Sequence, residues 1–385
     1  MTVTAPVVVV LDDYFPRLET GFRIAEFTWL LEHSVVDRVA TTWPLEVPLP
    51  LYAELHPEVA DRVLPYDPAI LEDADLAVLV FLNNAILFLP DLEASGTPFI
   101  VTLYPGGGLD LGDAVAEQKL QRLLASPLLR AVVTTQPRVT EHVRALAPEL
   151  MIAEIIGVVV NPLYHFPGAG RRENYFGFGK DQLDVVFTAH KYHPSGRDKG
   201  YDVYLDMLRE LRDELPIRGH VVGGFEPGDL PDDDLRDILS FHGSLTTLEY
   251  RRTMLEMDAV VTPGRPGITG PFVFDGFPTG SAIEAALCGA AIVATDAFDQ
   301  NVAFRDGRDI LIVPPEPGAI AARLRDTISA PGGLRVLAQA GLEVARAQYS
   351  VDTQLWGRRR LIERVLSELG AEAQVEAWAG LASSG

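Results

Sequence analysis

Short runs of Val, Ile and Leu alternate with helical patterns along the chain, and most of these runs are apolar at every position. Such runs are typical of parallel strands that are covered on both faces of a sheet. In the first half the predicted strands are Val7–Leu11, Val35–Thr42, Leu76–Phe81, Pro98–Leu103, Ala131–Thr135 and Ile152–Val160. In the second half they are Asp184–Ala189, Ile217–Val222, Leu239–His242, Ala259–Thr262, Ala291–Ala294 and Ile310–Val313. The predicted helices include Gly21–His33, Asp202–Leu215, Leu248–Met257, Ser281–Cys288 and Gly318–Ile328.

Two consecutive sets of about six strands predict an α/β protein with two doubly wound, Rossmann-like domains. The break falls in Asn161–Gln182, where Gly, Pro and charge cluster without periodicity, and we expect this segment to act as a hinge. The predicted domains are 1–165 and 170–357, and a helix over about 358–385 is a candidate for packing back on the first domain. Because ligands bind at the carboxyl ends of parallel strands, we expect the site in the cleft between the domains.

The amino-acid composition limits the classes of molecule that this protein is expected to bind. Hydrophobic residues make up 48% of the 385 positions, which is enough for packed cores. The formal net charge of −22 argues against nucleic acid and anionic membranes as partners, so a bound phosphate must meet a few placed cations and backbone amides. A single cysteine, Cys288, excludes an internal disulfide framework and a Cys-based zinc cluster. With no signal sequence and no apolar run of ~18–20 residues, we expect a soluble, cytoplasmic protein without stable membrane insertion.

The stretch DGFPTGSAIEAALC, residues 275–288, joins an acid and a tight turn to an alanine-rich helix. The amides at the start of this helix and the helix dipole form an anion site. About one turn in, the Glu284 carboxylate can accept hydrogen bonds from two vicinal hydroxyls, as on a ribose. A buried helix with a capping turn and a locally paired glutamate is the alternative.

The longer stretch DGFPTGSAIEAALCGAAIVATD resembles the E-x₇-E region of family-four retaining glycosyltransferases (glycosyl transferases group 1), which have the two-domain GT-B fold. Here the first acid is Asp275, and eight residues separate it from Glu284 where the family usually has seven. The resemblance implies that Glu284 holds the nucleotide ribose and that Asp275 contacts the transferred sugar. The other donor-binding candidates in this stretch are Gly276, Phe277, Pro278, Thr279, Gly280 and Ser281.

A second stretch, VVFTAHKYHPSGRDKGYDVYLDML, resembles the strand–G-R-x-x-x-K-G–helix segment of the same family. Lys199 matches the lysine that neutralises the donor diphosphate. The arginine position falls on His190, so Lys191 is the predicted second cation and Arg197 a further candidate. A solvated basic turn is the alternative. A zinc site at His190 and His193 is not expected, because no third ligand is visible.

Three more stretches follow in the family's order: HVVGG, FHGSLTTLEY and DAVVTPGRPG. The second resembles a segment whose backbone lies along the nucleobase, which makes His242 and Gly243 donor-binding candidates. The resemblance covers about Asp184–Ser350.

The first half is less similar to the family. LDDYFPRLETGFRIAEFTWLLEH resembles its opening strand, glycine loop and helix, which implies that Gly21 lies near the donor phosphates. The helical stripe leaves Glu26 on the predicted surface. Histidines common in the family after the fourth and fifth strands are absent here. The acceptor-side candidates at these positions are Tyr104, Asn83, Asn84, Gly106 and Gly107, and Tyr104 is expected to face the cleft. WGRRRLIERVL, from Trp356, is expected to be an ordinary closing helix.

The resemblance implies a retaining hexosyltransferase that moves a sugar from a nucleotide-diphosphate sugar to an acceptor hydroxyl by front-side displacement. The resemblance implies that no metal or other cofactor is required and suggests a role in polysaccharide or glycoconjugate biosynthesis. A non-catalytic GT-B-fold nucleotide-binding partner protein and a sugar-nucleotide epimerase on the same scaffold stay open as alternatives. The nucleotide base, the sugar, the acceptor and the oligomeric state are not predicted.

Overall fold

The computed structural model describes residues 5–18, 21–165, 168, 172–191, 193–268 and 275–383, with side chains as far as 370. The chain divides into two compact units. The first comprises Met1–Ile156 and Val351–Gly385, and the second comprises Gly157–Ser350. No helix within these described ranges is long and apolar enough to cross a bilayer.

The first unit is built on a parallel sheet, which within the described residues has the strand order β3-β2-β1-β4-β5-β6-β7. Its strands are β1 (Val8–Asp12), β2 (Arg38–Thr41), β3 (Val63–Pro65), β4 (Leu76–Val80), β5 (Phe99–Leu103), β6 (Leu129–Thr134) and β7 (Met151–Glu154). Its helices are α1 (Gly21–Glu32), α2 (Pro48–Leu55), α3 (Leu82–Ser95), α4 (Ala114–Leu124) and α5 (Pro137–Leu146). Every residue of β1, β4 and β5 is buried, which shows that the centre of the sheet is covered on both faces.

The second unit repeats this plan with a parallel sheet whose order, over the described residues, is β12-β11-β10-β13-β14-β15. A short pair, β8 (Tyr175–Phe176) and β9 (Gly179–Lys180), precedes the sheet. The sheet strands are β10 (Leu183–Thr188), β11 (Ile217–Val222), β12 (Leu239–Gly243), β13 (Ala259–Thr262), β14 (Ala291–Ala294) and β15 (Leu311–Ile312). The helices are α6 (Tyr201–Leu211), α7 (Thr247–Met254), α8 (Gly280–Leu287), α9 (Pro317–Ser329) and α10 (Gly333–Gln348). The last helix of the chain, α11 (Gly357–Ser383), belongs to the first unit.

Successive side chains along the strands of the second sheet pack in two separate hydrophobic clusters, one on each face. Val185 and Phe187 of β10 pack in one cluster, which includes side chains of α6 and α9. Val186, which lies between them, packs in the other cluster with side chains of α7 and α8. This alternation is the physical origin of the uniformly apolar strands in the sequence, because each face of the sheet has its own helical cover.

The prediction of an α/β fold with two Rossmann-like domains is confirmed. Strands β11, β13 and β14 match their predicted limits, and the predicted strand Ile152–Val160 is too long, because β7 ends at Glu154. Gly157, at φ +109°, takes the chain out of strand geometry shortly afterwards. In the expected hinge, residues 166, 167 and 169–171 lie outside the described residues, whereas Tyr175 packs in the core of the second unit.

Candidate active site

Most of the predicted donor residues of the second unit lie beyond the carboxyl ends of its two central strands, β10 and β13. β10 pairs with β11 on one side and with β13 on the other, so the strand order reverses between β10 and β13. Open α/β sheets bind ligands at such a switch point, just beyond the carboxyl ends of the strands. The loop after β10 carries the predicted cations, and the chain after β13 leads to α8.

Lys199 and Asp275, which are 76 positions apart, are brought together at this edge. The Lys199 ammonium donates hydrogen bonds to both Asp275 carboxylate oxygens, each at 2.7 Å. The lysine side chain is 13% exposed and the aspartate side chain 46%, so the pair opens to solvent on the carboxylate side. The two residues assigned to the diphosphate and the sugar therefore form one ion pair.

A glycine next to Lys199 allows this arrangement. Gly200 has φ +75°, and a Cβ at this position would lie 2.0 Å from the Pro263 carbonyl oxygen. Only glycine allows the loop after β10 to come this close to the backbone beyond β13. The close approach fixes the backbone that carries Lys199.

The other predicted cations on this loop are also paired with carboxylates. The Lys191 ammonium lies 2.5 Å from Asp229 Oδ1, and Arg197 Nε lies 3.2 Å from Asp202 Oδ2. His190 is exposed on the same loop. The acidic partners hold these cations at the edge of the sheet, so an incoming anion would compete with carboxylates for them.

The N-terminus of α8 is capped and fixed in place. The Thr279 hydroxyl accepts a hydrogen bond from the Ala282 amide at 3.3 Å, and the Tyr250 hydroxyl donates one to the Ser281 carbonyl at 2.9 Å. Phe277 and Pro278 are buried just before the helix, whereas Gly276 is half-buried. Helix α8 begins at Gly280, and the first amides of a helix have no partner inside the helix. The geometry therefore suits an anion next to the Lys199–Asp275 pair.

Glu284 lies one turn into α8 and is half-buried. Burial raises the pKa of this carboxyl to about 8. Its negative charge adds to the effect of burial in raising the pKa values of Tyr164 and Tyr250, so these hydroxyl groups are its neighbours. Within the described part of the chain its carboxyl accepts no hydrogen bond and makes no ion pair, so the local pairing considered as an alternative is not seen there. Such a carboxylate is suited to a ligand that donates hydroxyl groups.

His242, assigned to the nucleobase side, belongs to a polar chain that sequence reasoning missed. His220 Nδ1 lies 3.0 Å from His242 Nε2, and His220 Nε2 lies 2.8 Å from Asp184 Oδ1. The two imidazole rings stack, with centroids 5.3 Å apart. The neighbouring Gly243 carbonyl accepts a hydrogen bond from the Gly223 amide at 2.9 Å. The sequence signal for this chain of contacts was His220, a polar residue within a buried strand. A buried polar group needs a hydrogen-bond partner, so a polar neighbour could have been predicted.

The acceptor-side candidates of the first unit form two groups. Asn83 accepts a hydrogen bond from the Lys119 ammonium at 2.7 Å through its side-chain Oδ1 atom, and its backbone N–H donates to the Gly107 carbonyl at 2.8 Å. Gly106 belongs to the same tight loop, which Asn83 thus ties to the start of α3. Asn84, in contrast, is buried and donates to the Leu11 carbonyl at 3.0 Å, so its side chain supports the sheet. Gly21 is the first residue of α1.

Tyr104, which was predicted to face the cleft, is 4% exposed and belongs to a buried network. Its hydroxyl donates to Glu26 Oε2 and accepts from Arg358 Nη2, both at 2.8 Å. Arg358 Nε lies 3.0 Å from Glu26 Oε1, which closes the triangle. The prediction of a surface Glu26 is wrong, since this residue is 1% exposed. The start of α11 covers the polar side of α1, so the arginine run of the closing helix supplies a buried charge.

Residues 182–330 match the family model described as glycosyl transferases group 1. Sequence comparison with curated proteins gives no match.

Three solved structures resemble the chain over nearly its whole length. Sucrose-phosphate synthase from Thermosynechococcus elongatus is 15% identical, with a TM-score of 0.63 over 94% of this chain and 100% of the other. HepE from Anabaena, in complex with UDP and glucose, gives the same identity, TM-score and coverage. A glycosyltransferase from Rickettsia africae is 12% identical, with a TM-score of 0.67 over 94% of this chain and 99% of the other. Residues 182–330 are therefore similar to group 1 glycosyltransferases, and the solved structures show that the chain shares their fold of two Rossmann-like domains, the GT-B architecture.

Proposed function

We propose that this protein is a retaining glycosyltransferase that moves a sugar from a nucleoside-diphosphate sugar to an acceptor hydroxyl. One observation carries the proposal. At the switch point of the second unit, the Lys199–Asp275 pair, the capped start of α8 and the half-buried Glu284 follow one another along the chain. A nucleoside-diphosphate sugar offers these groups a sugar, two phosphates and a ribose in the same order.

Each group has a definite chemical task. Lys199, Lys191 and the first amides of α8 stabilise the diphosphate as negative charge develops on it. Glu284 binds the ribose hydroxyls, and Asp275 binds the transferred sugar once the phosphate draws Lys199 away. These placed cations and amides take the part that a metal ion has in other sugar transferases.

The proposed step is balanced without a protein base. The acceptor oxygen forms a bond to the anomeric carbon on the face from which the diphosphate departs. The bond between the anomeric carbon and the phosphate oxygen breaks, and its electron pair leaves with the diphosphate. The proton of the acceptor hydroxyl passes to the departing phosphate. Positioning and electrostatics therefore supply the catalysis.

The solved structure of HepE with UDP and glucose supports a nucleotide-sugar donor for the same fold. We further propose a cytoplasmic location, where nucleotide sugars and reduced thiols such as that of Cys288 are found. The buried state of this thiol is consistent with an inert structural role.

Two experiments test the proposed function. A thermal-shift screen with UDP, GDP, dTDP and ADP, each with and without Mg²⁺, identifies the nucleotide. A saturating nucleotide at ~100 times its Kd adds about 2.7 kcal/mol to the free energy of unfolding, which a thermal shift detects. Proton NMR of the product formed from the matching nucleotide sugar then gives the anomeric configuration.

The outcomes separate the alternatives. A transferred sugar with the donor's configuration, formed equally well with a chelator present, supports the proposal. Nucleotide binding without transfer or donor hydrolysis would identify a non-catalytic binding protein, and an epimerised donor would identify an epimerase.

A further inference from the structure

Three polar side chains on neighbouring strands of the second unit form one hydrogen-bonded series across a face of the sheet. They are Asp184 of β10 and His220 of β11, which are buried, and His242 of β12, which is half-buried. His220 bridges the other two, with Nε2 2.8 Å from Asp184 Oδ1 and Nδ1 3.0 Å from His242 Nε2. We call these three residues the Asp-His-His network. None of them takes part in the proposed transfer step.

The charge of Asp184 decides which atoms of the network donate. Burial opposes its ionisation, but hydrogen bonds from His220 and Lys180 hold the pKa of its carboxyl below the usual range. An ionised carboxylate only accepts hydrogen bonds, so His220 Nε2 carries a proton and donates it. In a neutral His220 ring Nδ1 is then a lone pair, and His242 Nε2 donates to it. The other nitrogen of a neutral His242 ring, Nδ1, is therefore a hydrogen-bond acceptor.

One added proton reverses this polarity. In a His220 imidazolium both nitrogens donate, so His242 Nε2 must accept. The proton of the neutral His242 ring then lies on Nδ1, which becomes a donor. Burial and the neighbouring His220 lower the pKa of His242 from its ordinary value of 6.5, so this ring stays uncharged at neutral pH. His242 Nδ1 is thus an acceptor until the network takes up a proton and a donor afterwards.

His242 lies at the same edge of the sheet as the candidate donor site. It is the next-to-last residue of β12, and its Nδ1 makes no hydrogen bond within the described part of the chain. Backbone hydrogen bonds join this end of β12 to the loop after β10. The Gly223 amide donates to the Gly243 carbonyl at 2.9 Å, and the Ala189 amide donates to the Val222 carbonyl at 3.2 Å. A spacing of about 4.8 Å between strands places β12 about 10 Å from β10.

Helix α7 joins this edge to the ribose side of the donor site. It begins at Thr247, shortly after β12, and its Tyr250 hydroxyl donates to the Ser281 carbonyl at the start of α8 at 2.9 Å. The charge of Glu284 acts on the same hydroxyl. A base attached to a ribose at Glu284 can therefore reach the carboxyl end of β12.

We propose that the Asp-His-His network fixes His242 Nδ1 as an acceptor, which selects a nucleobase whose ring nitrogen carries a hydrogen. Uracil and thymine carry this hydrogen on N3 and guanine carries it on N1, whereas cytosine N3 and adenine N1 are lone pairs. His242 determines the specificity, and Asp184 and His220 are positioning residues that act through it. This inference rests on the proposed function, because it concerns the base of the same nucleotide-sugar donor.

Other ionisable groups surround the network. Lys180 Nζ lies 2.8 Å from Asp184 Oδ2 and 2.7 Å from Asp258 Oδ2. Tyr250 of α7 packs on this face, and burial raises its pKa well above the ordinary value of 10, so it stays uncharged. Burial raises the pKa of Glu284 to about 8, but this group is assigned to the ribose, which uridine and cytidine nucleotides share. Two arginines that stay charged complete the surroundings: Arg172, paired with Asp258, and Arg218, next to Ser240.

The ratio of the affinities for UDP and CDP tests the proposal, because the two nucleotides differ only in the base. Calorimetry measures both Kd values between pH 8 and pH 5 for the wild type, for His242→Phe and for the control His33→Phe, at an exposed position of the first unit. If the screen selects GDP or dTDP, the matched partner is ADP or dCDP.

At pH 8 the wild type and His33→Phe should prefer UDP by at least ~10-fold, because a lone pair on cytosine N3 would face a lone pair on Nδ1. This preference should fall as the pH decreases, because the donor form of Nδ1 suits cytosine. His242→Phe should show a smaller preference that does not vary with pH.

Asp184→Asn distinguishes positioning from structural support. The asparagine oxygen can still accept from His220, but loss of the negative charge disfavours the protonated network. The preference for UDP at pH 8 should therefore stay, and the pH at which it falls should move to a lower value. A packing role alone would leave this pH unchanged.

Three results would overturn the inference while the proposed function stands. They are wild-type binding of CDP or ADP at pH 8 as tight as that of UDP or GDP, a wild-type preference that does not change with pH, and a preference that His242→Phe keeps together with its pH dependence. A wild type that binds none of these nucleotides would instead remove the proposed function, and the inference with it.

Discussion

Replacing Glu284 by glutamine tests two separate effects of this carboxyl group, one on the stability of the fold and one on the affinity for the nucleotide. The folded protein raises the pKa of this carboxyl from 4.5 to about 8, because burial disfavours the charged form. Below pH 4.5 the group is neutral in both the folded and unfolded states, so it costs no stability. As the pH rises from 4.5 to 8, the unfolded state ionises first, and the folded state loses stability relative to it.

The size of this penalty follows from the two pKa values. At pH 7 the difference corresponds to about 3 kcal/mol, which is a ceiling, since Glu284 is half-buried and water screens part of its charge. Glu284→Gln removes the ionisable group and should raise the Tm at pH 7 by several degrees. The Tm difference between variant and wild type should be near zero at pH 4.5 and should grow up to pH 8.

The same variant should bind the nucleotide less well. Hydrogen bonds to a charged group contribute about 1.5–3 kcal/mol, so above pH 8, where Glu284 is ionised, loss of the carboxylate should raise the nucleotide Kd roughly 10- to 150-fold. Glu173→Gln, at an exposed position of the same unit outside any helix or strand, is the matched control and should change neither quantity. The assays are thermal unfolding from pH 4 to 8.5 and calorimetric titration with the nucleotide. A Tm difference that does not vary with pH would refute the burial argument, and an unchanged Kd would refute the ribose role.

Three further predictions concern the other structural features. Lys199→Ala should lower kcat roughly 100-fold, which steady-state kinetics measures. The Tm, measured by thermal unfolding, should fall little because the partner carboxylate of Asp275 is exposed to solvent. Gly200→Ala should destabilise the second unit by about 1–3 kcal/mol in urea unfolding, because the added Cβ would lie 2.0 Å from a carbonyl oxygen. A variant as stable as the wild type would show that this backbone contact causes no strain. Arg358→Met should lower the free energy of unfolding by about 3–5 kcal/mol, because it leaves Glu26 charged and buried without its partner. Adding Glu26→Gln should restore much of this free energy, and a double variant as unstable as Arg358→Met would contradict the ion pair.

The sequence alone predicted most strands of the two sheets, though not β3, and it predicted helix α8. Apolar runs predicted parallel strands, because a strand covered on both faces shows an apolar side chain at every position. The chemistry of residues 275–288 could be interpreted locally, because a helix start, its cap and a carboxylate one turn later depend only on neighbours along the chain. This is why α8 lies within one residue of its predicted limits.

Only the tertiary structure decided which polar residues are internal. The helical stripe predicted a surface Glu26, because periodicity assumes that one face of a helix meets water. In this fold Arg358, from a helix more than 300 positions later, covers that face, and Tyr104 is drawn into the buried pair. Likewise, the Lys199–Asp275 pair depends on two adjacent strands and on a glycine that allows close backbone approach. Contacts between distant positions leave no periodic trace in one sequence, since they depend on the packing of whole elements.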